Sequence, residues 1–407
     1  MSIGDETGVS SHPLKIFDVT RKQDRFLYAL APIVRYGKLA FRQTVHKYGV
    51  DLCWTPMVLA KEFNRNSFAR DSGNSPFNTY GETQKLIMKP DLTISSRPSQ
   101  PATIVQFGAN VPLELARASA LVAPDVQGVD LNCGCPQSWA CAEKLGAALM
   151  NHRELVRDMV VETRQRLASD GWGVGLEADM ENPKGRSVSV KIRIHKDLRQ
   201  TMDFLDTVIG HPQNRLVDWV TIHPRTRSTP STVPIRTEAL EILTEKYAGT
   251  LPILLSGDVF DLSTLPFQPT ITTNNDAPLP SLDKLVLNDT NSAVNLPKPS
   301  NTHLSGFMSA RGLLANPAMY AGHAACPWEA VETFMCNVAR APLPFKLVQH
   351  HIMEMTAPGM GPDKSSLLEK KERAELMKLT NTCDIMDFLN DKIDEKTGRT
   401  GGLRRDL

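Results

Sequence analysis

Eight apolar runs of strand length recur along the chain, separated by patterns of helical period. They are RFLYALAP, GVDLCWTP, ATIVQFG, GVDLNCG, VSVKIRI, VDWVTIHP, LPILLSGD and LSGFMSARG. This alternation constrains the fold more than any other feature. Parallel neighbours need a connection long enough to hold a helix, so strands alternating with helices read as a parallel sheet. Eight such units suit a closed (β/α)8 TIM barrel, an α/β fold. A doubly wound open sheet is the alternative. It usually carries a glycine-rich dinucleotide loop after the first strand, and this sequence has none. The clearest helix is NHRELVRDMVVETRQRLAS. Leu155, Val156, Met159, Val160, Thr163 and Leu167 recur at helical steps there, with Asn151 as N-cap.

Three regions fall outside the barrel pattern. Residues 1–24 read as a flexible tail ahead of a barrel spanning 25–336. Residues about 262–302 are rich in Pro, Asn, Ser and Thr and read as a disordered insertion between strands seven and eight. From 337 to 392 the pattern turns helical and reads as a small all-helical domain, followed by a tail over 393–407.

The 407 residues contain no apolar run of the roughly 18 needed for a membrane helix, and residues 1–15 have no apolar signal-peptide core. A cytoplasmic protein is expected, with the nucleus as the alternative. Seven cysteines and no C-x-x-C pair argue against a disulfide framework and against a metal site. A net charge of +1 argues mildly against non-specific nucleic-acid binding, although a local basic face is compatible with it.

In such a barrel, chemistry collects at the carboxyl ends of the strands. Strand five alternates, with Val188, Val190, Ile192 and Ile194 on one face and Ser189, Lys191 and Arg193 on the other. If the apolar face meets the outer helices, Lys191 and Arg193 point inward. A buried ammonium is costly unless it finds an anion or acceptors. Either a barrel carboxylate or a ligand with partial negative charge would serve. The end of strand eight, Ala310 and Arg311, and the Ser256-Gly257-Asp258 end of strand seven form the pair of loops that commonly hold phosphate. Gln106, at the end of strand three, can both donate and accept. A phosphate at one rim, an inward lysine and a rim amide together suit flavin mononucleotide (FMN), with His223 as a further polar contact. Cys135 lies in CGCP at the end of strand four, where Gly134 and Pro136 shape a turn. A free thiol is mostly protonated near neutral pH, so Cys135 can give up the proton that completes a hydride addition. Cys133 and the other cysteines read as structural.

The stretches ALAPIVRYGKLAFRQTVHKYGVDLCWTPM, DLNCGCPQ with the downstream GAAL, SVKIRIH and SARGLLANPAMYAG, in that order, make the chain resemble the tRNA-dihydrouridine synthases. The likeness is greatest to the eukaryotic branch assigned to positions 20a and 20b. The resemblance implies reduction of the uridine C5–C6 double bond in the tRNA D-loop. NADPH or NADH would reduce FMN, hydride would pass from flavin N5 to C6, and Cys135 would protonate C5. It implies flavin contacts from Pro32, Ile33, Val34, Gln106, Asn132, Lys191 and His223. Ser256, Gly257, Asp258, Ala310 and Arg311 would make the phosphate-side contacts. Ile33, Ser256 and Pro224 depart from the family's usual Met, Asn and Gly. A target base must leave its stack to reach such a site. Arg35, Arg225 and Arg227 are therefore candidate substrate contacts, and the basic residues between 346 and 378 a candidate tRNA face. A monomer is expected. Two other readings stay open: a flavin barrel acting on a free pyrimidine, and a non-catalytic tRNA-binding protein.

Overall fold

The computed structural model describes residues 12–65, 101–265 and 303–403. Eight parallel strands close into a barrel: β1 (Leu27–Leu30), β2 (Leu52–Trp54), β3 (Ala102–Gly108), β4 (Gly128–Cys133), β5 (Ser187–Arg193), β6 (Val220–His223), β7 (Ile253–Ser256) and β8 (Gly306–Ser309). Each pairs with the next. Leu27 lies opposite Gly306 where β1 meets β8, and Leu52 opposite Ala102 where β2 meets β3. The eight apolar runs are the eight strands, as the alternation predicts. No helix among the described residues is long and apolar enough to cross a membrane.

Strand five behaves as its period requires. Val188, Val190, Ile192 and Ile194 join the cluster between sheet and helices, and the opposite face turns inward. Register sets Gln106 beside Asp130, Asp130 beside Ser189, and Asn132 beside Lys191. Polar side chains of three adjacent strands thus converge inside the barrel. The Arg153–Ser169 helix buries Val156, Met159, Val160, Thr163 and Leu167, although His152 rather than Asn151 precedes it.

The reading of residues 1–24 as a flexible tail needs correction. Residues 1–11 lie outside the described residues, but Pro13–Lys22 is a helix with Leu14 and Phe17 buried. These join Leu27, Leu52, Trp54, Ile104, Trp219, Leu254 and Met308 in a second apolar cluster inside the barrel. Phe17 meets the Trp219 ring at 5.4 Å, and Trp219 meets Trp54 at 6.0 Å. The helix is the floor of the barrel; its short apolar stripe, between polar residues, did not stand out in the sequence. Phe17→Leu keeps most of the volume and removes the aromatic pair. It should cost about 1 kcal/mol in urea unfolding, with the geometry of the opposite rim unchanged.

Two other boundaries also move. The helix Trp328–Arg340 runs across the expected junction at 336/337 and packs on the Leu39–Lys47 helix. Asn337 Nδ2 donates to Thr44 Oγ1 at 3.0 Å, so this helix belongs to the barrel wall. The expected tail from 393 begins inside the helix Thr382–Thr397, whose Ile393 is buried. Leu403 N then donates back to Asn390 Oδ1 at 2.8 Å. The polar segment assigned to an insertion lies outside the described residues beyond Leu265; Leu262–Thr264 is a 3-10 turn and Leu265 is buried. Nor do the residues between 346 and 378 form one basic face. His351 is wholly buried against Phe41 and Phe334, and Glu372 is paired with Lys392 and Lys396.

Candidate active site

Cys135 follows β4 on a turn held from three sides. Asn132 Oδ1 accepts from the backbone N–H of Gly134 at 3.0 Å and of Cys135 at 2.8 Å. The Cys135 carbonyl accepts from Ala147 N at 2.9 Å. Gly146 lies against it with φ +59°, and a Cβ there would come within 2.6 Å of the Cys135 oxygen. The GAAL stretch thus carries a glycine because the cysteine turn occupies the space a side chain would need. Gly134 has ordinary room for a Cβ, its nearest neighbour being 3.5 Å away. The turn owes its shape to Asn132 and Gly146 rather than to Gly134.

The Cys135 thiol is partly exposed, and burial raises its pKa. It is therefore protonated at neutral pH. Cys133 is wholly buried and its thiol is pushed well up, which fits the structural role expected of it.

Inside the barrel Gln106 is fully buried with both ends engaged. Its Nε2 donates to Asp130 Oδ2 at 2.8 Å and its Oε1 accepts from Asn132 Nδ2 at 2.7 Å. One N–H and one lone pair remain for a ligand. Lys191 is half-buried on the inward face of β5, where desolvation lowers its pKa to about 8 against the opposing pull of Asp130. Its ammonium has no hydrogen-bond partner among the described residues. Thr221 Oγ1 is buried without one.

His223 Nε2 lies 3.0 Å from Arg225 Nη1. A guanidinium only donates, so Nε2 accepts and the ring carries its proton on Nδ1. Burial, with Lys191, Arg193 and Arg225 adding to it, lowers the His223 pKa to about 2. The ring is thus a neutral donor through Nδ1. Ser256 is buried at the end of β7. Gly257 has φ +112°, and a Cβ there would stand 2.9 Å from the His223 ring. Ala310 and Arg311 follow β8, and the exposed Arg311 guanidinium sits 5.1 Å above the Phe260 ring. Pro32 and Ile33 are half-buried and Val34 exposed on the turn after β1.

Arg225 departs from its expected role as a substrate contact. It is only 2% exposed. Its Nη2 reaches both Asp258 oxygens, at 2.7 and 2.9 Å, and its Nε donates to Val233 O at 2.7 Å. Arg225 locks two rim loops together, and Asp258 receives it with a carboxylate that also accepts from Ile235 N. Arg35 and Arg227 are exposed on the loops after β1 and β6.

Three residues of this site were given no role from the sequence. Asp130 and Ser189 lie two positions from Asn132 and Lys191, so strand period alone turns them inward. Arg193 joins the cysteine turn to the next rim loop, donating to Gly134 O at 2.9 Å and Thr226 O at 2.7 Å.

The dihydrouridine synthase (Dus) family model matches residues 29–276. A human tRNA-dihydrouridine(20a/20b) synthase-like protein is 31% identical over 361 residues, covering 89% of each chain. The tRNA-dihydrouridine(20a/20b) synthase of Schizosaccharomyces pombe is 31% identical over 379 residues, covering 93% of this chain and 91% of its own. Both carry NAD(P)+ in their names.

Proposed function

The chain belongs to the dihydrouridine synthase family, and from that premise we propose that it reduces the C5–C6 double bond of D-loop uridines at tRNA positions 20a and 20b, with FMN as cofactor and NADPH or NADH as reductant. The observation that carries this reading is a protonated, partly exposed thiol at Cys135, pinned at the rim above an inward lysine without a hydrogen-bond partner among the described residues.

The residues present fit a flavin. Thr221 Oγ1 is a buried polar atom without a partner among the described residues, the half-buried Lys191 makes no side-chain hydrogen bond among them, Gln106 keeps one N–H and one lone pair, and His223 offers Nδ1–H. The bare Gly257 backbone is what lets that ring sit where it does, since a Cβ would stand 2.9 Å from it. When bound and reduced, FMN supplies the hydride for uracil C6. Lys191 would hold the electron-rich pyrimidine edge of the cofactor, and Gln106 and Asn132 would orient its ring. Ser256, Gly257, Ala310 and Arg311 would hold the phosphate. Pro32, Ile33 and Val34 would line the ring from the β1 turn. Cys135 keeps a proton at Sγ for C5. Arg35 and Arg227 are the exposed rim cations that would meet the tRNA backbone. We take the protein to act as a monomer in the cytoplasm or the nucleus, where its substrate is found.

Purified protein with NADPH or NADH should convert uridine to dihydrouridine in an unmodified tRNA transcript, scored by mass spectrometry of position-specific fragments. Turnover of free uracil with no RNA product would favour the free-pyrimidine reading, and tRNA binding by a colourless preparation the non-catalytic one. Gly257→Ala should weaken FMN retention about tenfold, read from visible absorbance after gel filtration. Its Cβ would push the His223 ring, and φ +112° costs such a residue about 1–3 kcal/mol.

A further inference from the structure

One carboxylate lies beneath all of these groups. Asp130 is 1% exposed. Its Oδ1 accepts from Ser189 Oγ at 2.7 Å and its Oδ2 from Gln106 Nε2 at 2.8 Å. Gln106 Oε1 then accepts from Asn132 Nδ2, and Asn132 Oδ1 accepts from Gly134 N and Cys135 N. The direction of every bond follows from the first. An ionised carboxylate only accepts, so Gln106 must turn its NH2 towards Asp130 and its oxygen towards Asn132. Asn132 must then turn its NH2 to Gln106, which leaves its oxygen for the two N–H groups of the cysteine turn. Reversing Asn132 would aim its NH2 at those backbone donors and leave the turn without its anchor, and reversing Gln106 would set its NH2 against that of Asn132 and favour that reversal. Two amide side chains have no preference of their own that would prevent this.

We propose that Asp130 is a positioning residue for the proton-donating turn: its carboxylate sets the polarity of the Asp130–Gln106–Asn132 relay and so aims the backbone that carries Cys135. The proposal rests on the reading of Cys135 as proton donor.

It has a titration consequence. Burial raises the Asp130 carboxyl to about 6, against the hydrogen bonds from Gln106 and Ser189 and the charge of Lys191. The titratable groups facing it are Lys191 on β5 and Cys133 on its own strand. A protonated Asp130 can donate to Gln106, so the relay loses its enforced polarity as pH falls through that range. The rate should fall with it.

The test uses the full-length flavoprotein, saturating NADPH and a tRNA transcript, with kcat and KM measured across pH. Asp130→Asn offers one acceptor oxygen to two donors and cannot titrate. Its kcat should drop on the order of tenfold with KM for tRNA unchanged, and the acid limb should vanish. Ser189→Ala is a milder variant that removes one donor to the carboxylate. That raises its pKa, so the acid limb should move to higher pH. Acid limbs that superimpose on the wild type in both variants, or a change in KM alone, overturn the proposal. Failure of the underlying reading looks different: Cys135→Ala would then retain wild-type kcat.

Discussion

Cys135→Ala is expected to lower the rate of dihydrouridine formation by about 10²–10⁴-fold, the usual contribution of a positioned general acid, while FMN content and tRNA binding stay at wild-type levels. On the proposed mechanism, hydride addition at C6 would leave negative charge to be quenched at C5, and without the thiol that proton would have to come from solvent past the bound base. No neighbouring thiol can substitute. Cys133 is wholly buried, and Cys141 Sγ is directed at the Cys135 carbonyl, 3.8 Å away. Cys135→Ser should remain slow, because a hydroxyl is a far weaker acid than a thiol. The pH profile gives an independent check. Burial raises the Cys135 pKa, and a raised pKa keeps the proton on sulfur to higher pH. The alkaline limb assigned to this group should therefore lie above the range of an ordinary thiol, about 8.5. Single-turnover measurement with pre-reduced enzyme isolates this step from flavin reduction. An alanine variant at wild-type rate sinks the proton-donor assignment.

The barrel was legible in the sequence because its signals are local. Each strand is a short apolar run bounded by turn residues, and the period of two in SVSVKIR was enough to turn Lys191 inward. The rim cysteine was legible because CGCP breaks a strand abruptly. What escaped was non-local or depended on partners. Nothing in PLKIFDVTRK announces that Phe17 will meet Trp219, some 200 residues away in the chain. The direction of Gln106 and Asn132 is likewise invisible until Asp130 is seen beside them, since an amide read alone donates and accepts equally. Charge was the least reliable guide. Arg225 and Arg227 stand two residues apart in HPRTR, and the sequence treats them alike. One is 2% exposed and bonded to a carboxylate and two carbonyls; the other is exposed.

That difference gives the second large effect. Arg225→Met should cost about 3 kcal/mol in denaturant unfolding, near the lower end for breaking a buried ion pair because Asp258 keeps 21% side-chain exposure. The substitution keeps the stem and removes five contacts: two to Asp258, one each to the Val233 and Ser231 carbonyls, and one to His223 Nε2. The loop after β6 and the Gly257–Asp258 turn after β7 then lose their shared clamp. His223 loses both a donor and a nearby positive charge, so its pKa rises, and its tautomer is no longer held with the proton on Nδ1. Weaker FMN retention should follow, since the proposed flavin contacts His223 and Gly257 pack against each other and would shift together. Arg227→Ala should do the converse, raising KM for tRNA at nearly unchanged stability, because an exposed cation contributes mainly screened attraction to phosphate. If Arg225→Met instead left stability and flavin content intact and raised only KM, Arg225 would be a substrate contact after all, and the rim loops would be held by something other than this clamp.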